Sequence, residues 1–162
     1  MPRNMSVVAT LTNSGSVAVY KHVLIATDGS ELAGKAVAVG LELAKSLNAR
    51  TTAVNVTEPW SVTVTGDPVL MYPTIDYEKA AAESAANVLS TVRDAANKAG
   101  VACETLHVSG FPAESIVETA QAKGCDLIVM ASHGRRGLSR LLLGSQTTKV
   151  LALTTMPVLV CR

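Results

Sequence analysis

The chain has 162 residues, of which 48% are hydrophobic, 17% are charged and only 3% are aromatic, and its formal net charge is +1. This length and composition are typical of one globular domain with an aliphatic core, and they exclude a disordered chain. The balanced charge and the scarcity of aromatic side chains argue against a nucleic-acid partner and against binding to an acidic membrane surface.

The first convincing strand is Tyr20–Thr27, an unbroken apolar run suited to burial on both faces of a sheet. Residues 1–19 are weakly patterned, so we expect a mobile N-terminal extension followed by a single domain at residues 20–162. The extension contains the run VVATLT, which is compatible with a strand paired in an oligomer, although nothing in the sequence requires one. Ser30 caps the helix that follows the first strand. Asp28 either bonds to the backbone of this turn or lines a ligand site at the end of the strand.

The remaining elements alternate along the chain. We predict strands at Arg50–Thr57, Ala102–Ser109, Asp126–Ala131 and Pro157–Cys161, and helices at Tyr77–Ala99, Ala113–Lys123 and Ser145–Leu153, with Ser145 as the N-cap of the last helix. The segment Glu58–Asp76 carries several prolines and a glycine, which are too many breakers for a regular element. Apolar strands that alternate with helices predict an α/β fold, a parallel sheet with helices on both faces.

Cysteine usage and hydropathy bear on the compartment. The three cysteines, Cys103, Cys125 and Cys161, match no metal or redox spacing, so we expect buried thiols in a reducing compartment. No apolar run reaches the roughly 18 residues that a membrane span requires, and the N-terminus lacks the apolar core of a signal peptide. We therefore expect a cytoplasmic protein without a membrane partner.

A strand, a glycine-containing basic loop and a helix start follow one another between Asp126 and Gln146. Glycines let the backbone approach a ligand closely, and the first N–H groups of a helix lack intrahelical partners, so this order suits an anion. The arginines of the loop add positive charge. The residues alone leave two interpretations open, a phosphate cradle or an ordinary strand-to-helix connection with a solvated basic loop.

Several enzyme classes lack their motifs here. The chain has no GxxxxGK[ST], no GxGxxG after the first strand and no GxSxG elbow. The three histidines are far apart in sequence, no His/Asp/Glu cluster has metal-ligand spacing, and no nucleophile is paired with a base. This pattern favours a binding protein over an efficient enzyme, with no catalytic residues and no protein-held metal.

Three stretches resemble one known family. The strand end TDGS at Thr27–Ser30, the run MASHGRRGLSRLLLGS at Met130–Ser145 and the terminal PVLVCR together resemble universal stress proteins of the UspA type, over Tyr20–Arg162. Nucleotide-binding members of that family carry Gly-x2-Gly-x9-Gly-Ser/Thr, and the chain resembles this ATP-binding subtype except that Ala131 replaces the first glycine. We expect the extra methyl to crowd a ribose or to strain the turn slightly.

The resemblance implies a single-domain, five-stranded parallel sheet of order 3-2-1-4-5, the adenine nucleotide alpha hydrolase-like fold, with ATP and Mg²⁺ bound where the first and fourth strands meet. It places Ala26, Asp28 and Val54 beside the adenine and ribose, Met130 and Ala131 on the ribose side, and Gly134, Gly144, Ser145, Gln146 and Thr147 around the phosphates. Thr27, Ser132, His133 and Arg136 complete the implied cofactor-binding set, and Asn55 is a further candidate with less support.

The resemblance also implies a homodimer whose final strands pair antiparallel. Pro157–Cys161 is predicted to be a hydrophobic edge strand without a charge before Arg162, and such edges tend to be paired, which favours contact through Val158 and Val160. The expected function is a nucleotide-responsive stress-response regulator rather than an enzyme. An interaction module that binds no nucleotide and acts through its dimer surface is the alternative, and a flavin- or AMP-binding relative is a third hypothesis.

Overall fold

The computed structural model describes residues 6–8, 20–59, 71–134 and 143–162. In chain order these residues form β1 (Ser6–Val8), β2 (His22–Ala26), α1 (Glu31–Leu47), β3 (Arg50–Thr57), α2 (Met71–Ala99), β4 (Cys103–Ser109), α3 (Pro112–Ala122), β5 (Leu127–Ala131), α4 (Ser145–Leu153) and β6 (Val158–Cys161). Within this part of the chain the strands form one sheet of order β1-β6-β5-β2-β3-β4. The five parallel strands β2 to β6 confirm the predicted α/β fold and the predicted order 3-2-1-4-5.

The sheet has a sixth strand that the sequence did not predict as part of the domain. Ser6–Val8 pairs antiparallel with β6, with Val7 opposite Leu159. The prediction that Pro157–Cys161 forms the edge of the sheet is therefore wrong, because β6 lies between β5 and β1. The suggested strand near VVATLT does form in part, but within one chain. The division into an extension at 1–19 and a domain at 20–162 stays a prediction.

The start of α2 also differs from expectation. The helix begins at Met71, so the end of the segment Glu58–Asp76, predicted to be irregular, is helical. Pro73 is compatible with this start because N–H groups in the first turn of a helix have no intrahelical acceptor to lose. Residues 60–70 of the same segment lie outside the described residues.

Alternating side chains of the buried strands supply two cores, one on each face of the sheet. Residues such as Val23, Ile25 and Val129 pack with α1 and α2, whereas Leu24 and Ile128 pack with α3 and α4. No helix in the described part of the chain combines the length and the hydropathy that a membrane crossing needs.

The three cysteines are free thiols, two of them buried and one partly buried. Cys125 and Cys161 are buried, as predicted, and Cys103 is only partly buried. Burial raises the pKa of the Cys125 thiol to about 11 and also raises the pKa of Cys161. Both thiols are therefore protonated at neutral pH and poor nucleophiles.

Candidate functional site

The carboxyl ends of β2 and β5 lie side by side at the centre of the sheet. The chain leaves β2 toward β3 on one side and leaves β5 toward β6 on the other, which makes this junction the switch point of an open α/β sheet. A cleft of about 760 Å³ opens there. Clefts of roughly 300 to 1,000 Å³ hold small ligands and cofactors, and this one falls in that range.

The turn after β2 is held by its own side chains. Gly29 N donates to Thr27 Oγ1 over 3.2 Å, and Ser30 N donates to Asp28 Oδ1 over 2.9 Å. Ser30 caps α1 as predicted, since its hydroxyl accepts from Ala33 N. Asp28 also lines the cleft. Both interpretations of this aspartate therefore describe the same side chain, which supports the turn and faces the cleft.

The connection from β5 to α4 brings the first turn of α4 against the end of the strand. Gly144 N donates to Ser132 O over 2.8 Å. Thr147 Oγ1 lies 3.0 Å from Ala131 O and 3.1 Å from Ser132 O, both within hydrogen-bonding distance. The N-cap is Gly144 and not Ser145, which is the first helical residue, so that prediction is wrong by one position.

Close approach of backbones explains the glycine at that cap. A Cβ built on Gly144 would lie 3.0 Å from Ser132 O and 3.3 Å from His133 Cα. A Cβ built on Gly134 would lie 2.9 Å from Asp28 Oδ2. Gly134 therefore lets the turns after β2 and β5 meet, and Gly144 lets the start of α4 lie against the end of β5. The first N–H groups of α4, without intrahelical acceptors, carry the partial positive charge of the helix dipole at this place.

Most of the predicted site residues come together in the cleft. Its lining includes Ala26, Thr27, Asp28, Val54, Met130, Ala131, His133, Gly134, Gly144, Ser145, Gln146 and Thr147. Ser132 is not among the lining residues; its side chain is buried, and its Oγ lies 3.0 Å from His133 Nδ1. Arg136 lies outside the described residues, as do the neighbouring arginines of the loop.

Ala131 does not strain the turn, contrary to the expectation from the sequence. It is the last residue of β5, and Asn48 is the one non-glycine residue with positive φ in the described part of the chain. Its side chain belongs to the core cluster with α1 and α2. An alanine is therefore accommodated at this position without a left-handed backbone.

Asn55 is a buried polar side chain at the cleft, and sequence reasoning gave it little support. Its Nδ2 donates to Thr27 O over 2.9 Å, which holds the peptide before Asp28 in place. The residue is only 5% exposed, and its Oδ1 has no hydrogen-bond partner among the described residues. A buried acceptor without a partner costs free energy, so Asn55 is held at this place by its bond to Thr27 O at some expense in stability.

Sequence reasoning missed one wall of the cleft. Tyr77, Ala81 and Ser84 of α2 line it, and Tyr77 Oη donates to Glu58 O over 3.1 Å. α3 contributes Pro112 and Ile116. The alanine-rich sequence of α2 is compatible with a helix that leaves room beside the sheet, but it does not indicate which helix faces the cleft.

Among the described residues there is no group of three His, Cys, Asp or Glu side chains that could hold a metal ion. Two carboxylates, Asp28 and Glu58, are part of the cleft lining. A divalent cation at this place would therefore take its remaining ligands from water and from the phosphates of a bound nucleotide, as Mg²⁺ commonly does.

An open parallel sheet with a cofactor-sized cleft at its switch point is the architecture of the Rossmann-like α/β class. The model of the universal stress protein family matches residues 19–162, and the chain belongs to this family. The predicted family is thereby confirmed.

Known relatives and solved structures support this family assignment. The chain is 31% identical to the universal stress protein YxiE of Bacillus subtilis, over 88% of this chain and 99% of that protein. It is 34% identical to the universal stress protein MJ0531 of Methanocaldococcus jannaschii, over 88% and 82%. UspA of Lactobacillus plantarum shares the fold, with a TM-score of 0.80 at 24% identity over 90% and 99%. A universal stress protein in complex with cAMP matches with a TM-score of 0.67 at 27% identity, over 90% and 99%.

Proposed function

We propose that this universal stress protein binds ATP, together with Mg²⁺, in the cleft at the ends of β2 and β5, and that it acts as a nucleotide-responsive regulator and not as an enzyme. The observation that carries the proposal is the contact between the start of α4 and the end of β5. Gly144 and Thr147 form hydrogen bonds to backbone oxygens at the end of β5, which hold the first turn of the helix in place. We call this arrangement the cradle around α4. The related protein with cAMP supports an adenine nucleotide as the ligand.

The phosphates would lie against the first turn of α4. There Ser145, Gln146 and Thr147 contribute backbone N–H groups and Ser145 also a hydroxyl. The Gln146 side chain is engaged elsewhere, because its Oε1 accepts from Ala113 N at the start of α3 over 3.2 Å. Asp28 stands where it could hold Mg²⁺ bound to the phosphates. These roles use groups that already have fixed positions, which lowers the entropic cost of binding.

The base and ribose would occupy the part of the cleft between β3 and α2. Val54 and Ala26 give this part an apolar floor, and both are buried. Asn55 also lines this part of the cleft, where its Nδ2 fixes the Thr27 carbonyl and its Oδ1 is a buried acceptor without a partner among the described residues. We propose that the site distinguishes adenine nucleotides from simple phosphates through this part of the cleft.

The first experiment is to identify any nucleotide that copurifies, by heat extraction and mass spectrometry, and then to titrate ATP with and without Mg²⁺ by calorimetry. We expect a dissociation constant in the micromolar range, about −8 kcal/mol at 1 μM. AMP, cAMP and inorganic phosphate are the comparison ligands. A protein that is folded by circular dichroism but gives no heat with any nucleotide would overturn the proposal and favour the interaction module.

The regulatory part needs a different measurement. Phosphate release from bound ATP should be far slower than the roughly 1 to 1,000 s⁻¹ at which enzymes typically turn over. Hydrogen exchange should slow at the first turn of α4 when ATP binds, because the bound phosphates protect its N–H groups. Rapid turnover would contradict a regulator. The proposal also includes the homodimer through Val158 and Val160, provided that the β6 edge occupied by β1 becomes free.

A further inference from the structure

The hydrogen-bonding edge of β6 that faces away from β5 is occupied by the chain's own β1. β6 pairs with β5 on one side, with Ile128 opposite Val158, and with β1 on the other, with Val8 opposite the same valine. All four residues of β6 are buried. The strand therefore has a fully apolar sequence, and β1 covers the edge of three of its four residues.

The attachment of β1 is slight compared with the strand that it covers. β1 comprises three residues and has β6 as its one neighbour in the sheet, whereas β6 is tied to β5 and to both cores. A three-residue antiparallel pair forms only a few hydrogen bonds, each contributing little net free energy. Strand β1 can thus leave without disturbing the five parallel strands.

The uncovered edge of β6 fits a second copy of itself. When a strand pairs antiparallel with an identical strand, a two-fold axis relates the two, so the contact is self-complementary and closes as a dimer. A register that places Leu159 opposite its own counterpart also places Val158 opposite Val160 of the second copy. In that register the second copy's Leu159 stands where Val7 stands now. The strand is apolar throughout, and its first flanking charge is Arg162.

We propose that β1 is a displaceable cover of the dimerisation edge, so that the chain is monomeric while β1 is paired with β6 and dimerises through β6 when β1 leaves. The inference rests on the dimer part of the proposed function and not on nucleotide binding. The partner is a second copy of this chain, and the two pairings exclude each other because they use the same backbone groups of β6.

The size of the effect follows from counting edges. A dimer needs two uncovered chains, so the apparent dissociation constant of the dimer rises with the square of the preference for the covered state. If the covered state is favoured roughly tenfold, the dimer weakens about a hundredfold. Removing β1 should therefore lower the apparent dissociation constant of the dimer about a hundredfold, without any change in β6 itself.

The test compares the full chain with two ways of removing the cover. One variant lacks residues 1–19, and the other carries Val7→Pro with Val8→Pro. Along an antiparallel strand, the backbone N–H groups of alternate residues point toward the partner strand. Two consecutive prolines therefore remove at least one N–H donor to β6. The control is Val7→Thr with Val8→Thr, which keeps both N–H groups and the β-branched side chains. Mass is measured by light scattering after size exclusion and by analytical ultracentrifugation.

We expect monomers for the full chain and the threonine control, and dimers for the truncated and proline variants, with equal ATP affinity in all four. A full chain that is already a dimer with the same dissociation constant as the truncated chain would overturn the cover but leave the dimer intact. A folded truncated chain that stays monomeric throughout would overturn both. Assemblies larger than a dimer would contradict the two-fold contact. None of these results affects the test of the nucleotide cleft.

Discussion

Replacing Gly144 with alanine should weaken ATP binding, because a methyl group has no room between α4 and the end of β5. The added carbon would lie 3.0 Å from Ser132 O and 3.3 Å from His133 Cα, whereas ordinary contacts between such atoms begin at about 3.5 Å. The backbone of Gly144 has φ −63° and ψ 156°, which alanine adopts freely. The cost is therefore one of space, and the first turn of α4 must move away from β5.

Two effects of this shift can be estimated. The hydrogen bond from Gly144 N to Ser132 O, now 2.8 Å, lengthens, and alanine is a poorer N-cap than glycine by about 1 kcal/mol. The reduced freedom of the unfolded chain offsets about 0.4 to 1 kcal/mol of this loss. A hydrogen bond to a charged phosphate contributes about 1.5 to 3 kcal/mol. Misplacing one such donor should raise the dissociation constant of ATP roughly 10- to 150-fold.

Calorimetric titration of ATP into the wild type, Gly144→Ala and Gly34→Ala measures the dissociation constant and tests this prediction. Gly34 is an exposed residue of α1, and a Cβ built on it meets nothing within 4 Å. The control should keep the wild-type affinity and gain thermal stability, since alanine is the better helix former by about 1 kcal/mol. If Gly144→Ala unfolds cooperatively and binds ATP as tightly as the wild type, the cradle around α4 is not the phosphate site.

Three further predictions concern stability. Gly40→Ala should lower the free energy of unfolding by about 1 kcal/mol in urea titrations. The new methyl would lie 2.9 Å from Ile25 Cδ1 in the core, and this overpacking outweighs the gain in helix propensity. Equal or higher stability would show that the core side chains rearrange to admit the methyl. Burial lowers the pKa of His22 below its usual value, so the unfolded chain takes up a proton that the folded chain excludes, and stability should fall as the pH drops below about 6.5; the same pH profile in His22→Gln would contradict this. Asn55→Asp should lower the free energy of unfolding by more than about 2 kcal/mol at pH 7, because a carboxylate would face Thr27 O in place of the Nδ2 donor at 2.9 Å. Protonation of the carboxylate should restore part of this stability near pH 5, and a loss that does not depend on pH would count against that hydrogen bond.

The sequence predicts the centres of helices and strands more accurately than their ends. Pro73 by its residue type predicts an irregular segment, but it lies in the first turn of α2, where proline is tolerated. Serine is a favourable N-cap, which predicts Ser145 in that role, yet the close approach to Ser132 O places Gly144 there instead. Local preference predicts that a helix begins nearby, and contacts with the rest of the fold decide the residue.

The sequence by itself determined the parallel α/β architecture, because its signals are local. Runs such as Arg50–Thr57 are β-branched throughout, and the helices show apolar residues at helical spacing. The strand order followed from family motifs at Thr27–Ser30 and Met130–Ser145. Residues in and near these motifs could therefore be predicted to line the cleft, although the distances between them could not be predicted.

Only the tertiary structure decided what surrounds those motifs. The α2 wall with Tyr77 and Ala81 reaches the cleft because α2 crosses beside β3. The partner of β6 was likewise beyond the sequence, since β1 is a three-residue strand from the opposite end of the chain. A strand so short has almost no local signal, and its place is determined by an apolar edge that exists only after the other strands have assembled.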